Sequence, residues 1–237
     1  MKISNISFIF IFLFHFANAQ DNLNKIDFGI EAGPDAASQR GGFQNNNQQT
    51  LWGFSAGFTG QYNLTPKFSI RSGIGFEEKG YSILQTFTTV INPQTGSLET
   101  DGTINGYSPM DYLILPVFAK YRFGKSRIKF FAEGGPYLGY LINAEQTISY
   151  KPSTGSAYIS RSNETQHYNR FEGGAGLGMG ADRQITNRLK ILIELRYNLG
   201  LTDIVPPSTA PGFTGIYNES VCLTLGLMYQ LSQIDYK

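Results

Sequence analysis

Alternate positions of Leu189 to Gly200, LKILIELRYNLG, separate into two sets. Leu189, Ile191, Ile193, Leu195, Tyr197 and Leu199 form one face, and Lys190, Leu192, Glu194, Arg196 and Asn198 form the other. A period of two marks a strand, because successive side chains on extended backbone point to opposite sides. The alternation recurs from Leu51 to Leu64, where Trp52, Phe54, Ala56, Phe58, Tyr62 and Leu64 oppose Ser55, Thr59, Gln61 and Asn63. It recurs again from Phe68 to Gly80, where Phe68, Ile70, Ile74 and Phe76 oppose Arg71, Glu77 and Lys79. Eight such segments are predicted, at 25–33, 51–63, 68–80, 111–123, 128–142, 169–182, 189–200 and 218–231. Each has roughly the length a tilted membrane strand needs, about ten residues.

The connections sort by parity. LTPK, GKSR and RQITNR are short and join segments two to three, four to five and six to seven. The connections between them are long and polar. Long loops alternating with short turns are the layout of an up-and-down outer-membrane barrel, whereas a soluble sandwich has no reason to sort its loops in this way. The fold predicted is all-β: an eight-stranded antiparallel up-and-down transmembrane β-barrel. In a soluble, lipocalin-like barrel the apolar face would point inward. In lipid it points outward, and three features favour lipid. Gly174, Gly176, Gly178 and Gly180 share the polar register, where glycine leaves room for long neighbours inside a narrow barrel. Aromatics gather towards the strand ends as two girdles: Tyr62, Phe68, Tyr121, Phe123, Phe130 and Tyr229 at the short-turn end, and Trp52, Phe76, Tyr140, Phe171 and Tyr197 at the loop end. The inner face carries both signs of charge, in Glu31, Arg71, Glu77, Lys79, Lys120, Arg122, Lys129, Glu133, Glu172, Asp182, Lys190, Glu194 and Arg196. An eight-stranded interior is wide enough only for side chains, so these groups are predicted to plug the lumen with ion pairs and water. Pro116 and Pro136 fall within predicted strands, where a bulge or a local loss of pairing is expected.

Composition changes the address more than the fold. Lys2, the apolar run Ile6 to Phe16 and Ala17-Asn18-Ala19 read as a secretory signal peptide over residues 1–19, leaving a barrel domain at 20–237. The run is short for a membrane helix, and no later apolar run approaches one. Nineteen basic and eighteen acidic residues, with no basic block, give no reason to expect nucleic acid. Cys222 is the single cysteine, so no disulfide framework exists.

Candidate chemistry is sparse. GGAGLGMG, Gly173 to Gly180, superficially suggests a dinucleotide loop, but a strand rather than a helix follows it. His167 lies in the third long loop with Ser162, Glu164, Tyr168 and Arg170 nearby, the ingredients of a rim hydrolase without a strained nucleophile turn. Against it stands a lone surface histidine. Glu194 and Arg196 suit a proton relay or a static lumenal salt bridge, and the second reading is preferred. No metal-ligand spacing surrounds Cys222, which reads as packing. No catalytic residue, metal or cofactor is expected. The long loops, rich in Tyr, Asn, Ser, Thr and Gly, suit adaptable recognition or plain solvation.

Several stretches resemble the PorT-like outer-membrane β-barrel family. GIGFEEKG, Gly73 to Gly80, is similar to its strand ending in an aromatic and Lys-Gly. DYLILPVFAKYRF, Asp111 to Phe123, is similar to its Tyr-Leu-Glu-x-Pro strand through Tyr112, Leu113, Pro116 and Lys120, with Ile114 in place of the glutamate. FFAEGGPYLGYL and the glycine-rich strand before ELRYNLGL also match. The chain ends LSQIDYK, so Tyr229 or Tyr236 would stand in for the terminal aromatic frequent in such barrels, or the tail trails into the periplasm. The resemblance implies an outer-membrane barrel surrounded by outer-membrane lipid, with envelope protein partners and a structural or secretion-associated role. The alternatives are loop-mediated binding of a surface or small-molecule ligand and a rim lipid-modifying enzyme.

Overall fold

Eight long strands close on themselves in a computed structural model describing residues 26–42, 48–91, 96, 98–124, 127–153, 157–207 and 214–231. They are β1 (Ile26–Gly42), β3 (Leu51–Asn63), β4 (Phe68–Ile91), β5 (Leu98–Phe123), β6 (Ile128–Pro152), β8 (Phe171–Gln184), β9 (Leu189–Gly200) and β10 (Thr214–Gln230). Short strands β2 (Gln48–Gln49) and β7 (Tyr158–Asn163) add to β4 and β6. Every neighbouring pair is antiparallel, and β1 against β10 seals the ring, in register from Asp27↔Gln230 to Gly42↔Thr214. Closure leaves no open edge along the wall, which is the condition for a sheet to reside in hydrocarbon. The proposed signal segment, residues 1–19, and Tyr236 lie outside the described residues.

The eight predicted segments all appear as strands, but four run well past their predicted ends on the loop side. β1 continues to Gly42, β4 to Ile91 and β6 to Pro152, and β5 begins at Leu98. The extensions are polar on one or both faces, as in Ser82, Gln85, Thr86 and Thr103. Above the bilayer a strand has no greasy face to advertise it. At the other end the turns are tight. In two of them a threonine hydroxyl fastens the chain: Thr65 Oγ1 accepts from the backbone N–H of Lys67 and Phe68, and Thr186 Oγ1 from those of Arg188 and Leu189.

Burial separates the two faces. On β9, Ile191, Ile193, Leu195 and Tyr197 are 39–48% exposed, while Lys190, Leu192, Glu194, Arg196 and Asn198 are at most 8% exposed. The polar face is therefore the interior one. The interior is not purely ionic, however. Tyr112, Ile114 and Phe118 share the inward register of Lys120 and are buried. Met110, Tyr112, Ile114, Tyr137, Leu141, Ala144 and Ile204 form an apolar cap towards the loop end. Phe131, Leu192 and Met228 form a smaller cluster towards the turns. The expected plug of ions and water is thus corrected to an ionic middle between two apolar layers.

The prolines interrupt pairing without shifting it. Between β4 and β5 the ladder lapses from Ser72↔Val117 to Gly75↔Ile114, around Pro116, and the register is unchanged on either side. The Ser72 hydroxyl donates to the Pro116 carbonyl at 2.8 Å, satisfying an acceptor there. Between β5 and β6 a second lapse flanks Pro136, from Pro116↔Tyr137 to Ala119↔Gly134. The bulge itself lies elsewhere, at Asp111/Tyr112. A third lapse, unanticipated, flanks Pro34 on the β10 side. Pro34 and Pro136 both follow glycine, and both glycines are approached by a neighbouring backbone. A Cβ on Gly33 would lie 1.9 Å from the Leu223 carbonyl oxygen, and one on Gly135 would lie 2.1 Å from that of Val117. Because the obstacle is main chain, no rotamer relieves it.

Gly33→Ala and Gly135→Ala are therefore expected to destabilise the barrel by about 1–3 kcal/mol, the range for overpacking a tight site. Gly60→Ala, whose Cβ would make ordinary contacts with the Phe28 ring at 3.6 Å and the Ser72 carbonyl oxygen at 3.9 Å, should be near neutral. Urea titration of refolded protein, read by the gel mobility of folded and unfolded bands, makes the comparison. Equal midpoints for all three variants would contradict it.

Candidate functional site

The interior is a column of side chains from all eight long strands. At the short-turn mouth, Lys190 Nζ lies 3.0 Å from Asp27 Oδ2, which also accepts from Gln61 and Asn63 at 3.3 Å each. Arg122 pairs with Asp182 at 2.9 Å. Lys129, assigned above to the lumenal charges, differs: it is exposed at this mouth, opposite its cross-strand neighbour Asp182. Lys120 is buried with its ammonium 3.5 Å above the Phe131 ring. A cation over an aromatic face in a desolvated place gains electrostatic stabilisation from the ring quadrupole.

Arg71 is the hub of the middle layer. Its Nη2 lies 2.6 Å from Glu133 Oε1 and 2.6 Å from Glu194 Oε2, and its Nη1 lies 3.3 Å from Glu31. Arg196 reaches Glu31 at 3.3 Å and Glu194 at 3.8 Å. Three carboxylates from β1, β6 and β9 thus converge on two guanidiniums from β4 and β9. Gly178 on β8 makes the convergence possible, since a Cβ there would sit 2.5 Å from Glu194 Oε1. Its neighbours act alike: Cβ atoms on Gly174, Gly176 and Gly180 would meet the rings of Tyr137, Phe118 and Phe131 at 2.3, 2.6 and 2.6 Å. The GGAGLGMG stretch is a slot for larger side chains.

Above the hub, Asn198 donates to both Glu77 oxygens at 3.1 and 3.2 Å, and Ser220 donates to Oε1. Next, Lys79 Nζ meets Glu172 Oε1 at 2.6 Å. Tyr137 and Asn218 also donate to Glu172, at 2.6 and 2.7 Å. The apolar cap lies beyond. Ile114, where the resembled family has glutamate, is part of that cap.

Outside, Trp52, Tyr62, Phe68, Tyr121, Phe123, Phe130, Tyr140, Phe171, Tyr197 and Tyr229 all face away from the lumen and are exposed. Phe123 stacks on Phe130 at the turn end, and Tyr140 meets Phe171 edge-on at the loop end.

Two groups of interior residues escaped the sequence reading. Asp27 and Asn218 share the parity of the charged residues, and that parity was the available signal. Asp35 was lost because the predicted first strand stopped at Gly33-Pro34. The rim set assembles differently from a hydrolase. His167 Nδ1 lies 2.6 Å from Glu164 Oε2, and the Ser162 hydroxyl also binds Glu164. These hydrogen bonds, from Ser162 first and His167 second, hold the Glu164 carboxyl below its ordinary range. The acid stands between hydroxyl and imidazole, whereas nucleophile activation needs the imidazole on the hydroxyl.

A closed ring with a paired-ion interior and an apolar exterior defines an integral membrane β-barrel. The chain belongs to the outer membrane protein beta-barrel domain family, which it matches over residues 16–205. It resembles solved barrels: neisserial surface protein A, NspA (13% identity, covering 86% of this chain and 97% of that one, TM-score 0.44), OprG from Pseudomonas aeruginosa (11%, 88% and 98%, 0.45), and Ail, the attachment invasion locus protein of Yersinia pestis (11%, 86% and 99%, 0.40). No curated protein matches. The protein is an outer-membrane barrel, surrounded by outer-membrane lipid.

Removing one partner from a buried ionic cluster costs about 3–5 kcal/mol, because the remaining charges are left uncompensated. Arg71→Met is expected to lose that much in urea unfolding, with much of the loss restored by adding Glu133→Gln and Glu194→Gln. An additive triple variant would sink the hub. In planar bilayers the wild-type barrel should show negligible steady conductance, and large stable ohmic steps would show an open lumen.

Proposed function

We propose that this barrel is non-catalytic and serves a structural or interaction role in the cell envelope, through the sheet that rises beyond its wall. One observation carries the reading. β4, β5 and β6 have 24, 26 and 25 residues, against 13, 14 and 12 for β3, β8 and β9. Ten or so extra residues at about 3.3 Å each carry the sheet on the order of 30 Å further along the strands. The β4–β5 ladder stays continuous into this extension, with Ser82↔Tyr107 in register; the β5–β6 ladder resumes at Tyr107↔Thr147 after a lapse at Ser108 and Pro109, and β7 widens the sheet through Ser149↔Ile159. Its outward face bears Leu84, Tyr107 and Ile159, each about half exposed. A sealed lumen gives no reason for such height, whereas a recognition surface does. By the usual orientation of such barrels this is the extracellular end. The similarity to PorT-like proteins supports a protein partner linked to secretion. Binding of a surface ligand by the same loops is the alternative outcome.

A photocrosslinking residue at Tyr107 should give a discrete protein adduct in intact cells, whereas one at Tyr121, in the short-turn band, should give lipid adducts. Lipid-only adducts at both positions would overturn the interaction reading. If His167→Ala abolished a lipid modification present in wild-type cells, the non-catalytic reading would fall.

A further inference from the structure

Among the described residues, seven buried carboxylates face five buried cations inside the barrel. The surplus is concentrated at one level. Asp35, Glu77 and Cys222 come from β1, β4 and β10, and one ligand atom from each lies within 4.8 Å of the other two. Asp35 and Cys222 are direct cross-strand partners. Both are fully buried, and Glu77 is 3% exposed. Glu77 has donors in Asn198 and Ser220, with Lys79 at 3.9 Å. Lys79 itself is engaged at 2.6 Å by Glu172. Asp35 has no ion pair, and neither of its oxygens has a hydrogen-bond partner apart from the Cys222 thiol. The Ser55 hydroxyl, 5% exposed and also without a partner, is the cross-strand neighbour of Glu77 and lines the same lumenal cavity. Two buried acids, a thiol and an idle hydroxyl therefore share a place whose nearest cation, Lys79, is drawn away to Glu172.

The geometry points to a divalent transition-metal site, of the zinc class, built from Asp35, Glu77 and Cys222 with Ser55 or water as the fourth ligand. A thiolate beside two carboxylates favours a borderline ion over calcium or magnesium, which take oxygen ligands. Zinc sits about 2.3 Å from sulfur and about 2.1 Å from oxygen, so binding draws the three donors together by roughly an ångström. On binding, the Cys222 thiol loses its proton to solvent and its sulfur lone pair forms the bond to the metal, without change of oxidation state. With the thiol proton released, binding adds a net single positive charge, which offsets half of the surplus of two carboxylates. Because the donors come from strands far apart in sequence, the site forms only when β1 closes on β10, and the ion enters as the barrel folds.

The test uses the whole mature chain refolded in detergent with Co2+ or Zn2+, then freed of loose metal by brief chelation. Wild type should retain about one ion per chain, with a thiolate-to-cobalt charge-transfer absorption in the near ultraviolet and a higher urea midpoint than metal-free protein. Cys222→Ser should lose the absorption, and Asp35→Asn should weaken retention at least tenfold, both with the folded gel mobility intact. His167→Ala should change neither, which excludes the loop histidine as the ligand. If Cys222→Ser fails to fold, Cys222→Ala and Asp35→Asn carry the comparison. Wild type that refolds without retaining either ion would overturn the site. So would an absorption that survives loss of the thiol. A urea midpoint raised by Asp35→Asn and unaffected by metal would show instead that the surplus is met by a shared proton.

Discussion

Everything in this barrel follows from the demand that hydrocarbon makes on backbone. An N–H or C=O without a partner in the bilayer costs several kcal/mol, so the sheet has to close. The β1–β10 seam is therefore the constraint on which the rest depends. Once the ring is sealed with eight strands, the interior holds side chains and little else. The lipid-facing register takes the apolar residues, which sends Arg71, Glu133, Glu194 and their neighbours inward. Side chains from opposite walls reach one another across so narrow a lumen, and charges of both signs meet. The hub around Arg71 is the result of closure as much as of selection for that contact.

Closure also accounts for where small residues stand. A narrow lumen filled with Tyr137, Phe118, Phe131 and Glu194 needs space taken from somewhere, and β8 supplies it by omitting side chains at alternate positions. The prolines show the same constraint from the other side. Each removes a donor from the ladder, and the lapses at Pro34, Pro116 and Pro136 keep register on both flanks. A shift by one residue would turn the ionic face into the lipid, so the wall yields locally in hydrogen bonds and not in alignment.

Strand number, parity and turn placement were legible because alternation against lipid is strict: each of β3, β8 and β9 announces itself through an oily outward row. Legibility fails where that solvent changes. The upper halves of β4, β5 and β6 stand in water, so Tyr81 to Ile91 alternates less clearly and reads as loop. Inside the barrel the failure is different in kind. Tyr112, Phe118 and Leu192 are apolar yet inward, and only the parity of Lys120 or Lys190 on the same strand betrays them. Lys129 had the right parity and the wrong height, since period tells the face and not the depth. Asp35, Glu77 and Cys222 are beyond any spacing rule, because three strands bring them together only through the register of the closed ring.

The polar interior has a reason apart from stability. Buried ion pairs in proteins often do no better than apolar residues of similar shape, since desolvation offsets much of the attraction. An apolar lumen would, however, make each strand greasy on both faces. An outer-membrane chain has to pass the inner membrane first, and a long unbroken apolar run is what a bilayer captures as a helix. Placing Lys190, Glu194 and Arg196 between Leu189, Ile191, Ile193, Leu195 and Tyr197 keeps the run broken, and the whole chain has a mean hydropathy of −0.20. The charges that must then be buried are stabilised by one another only after closure. The same residues thus break any apolar run that a bilayer would capture as a helix and, after closure, bind opposite walls together.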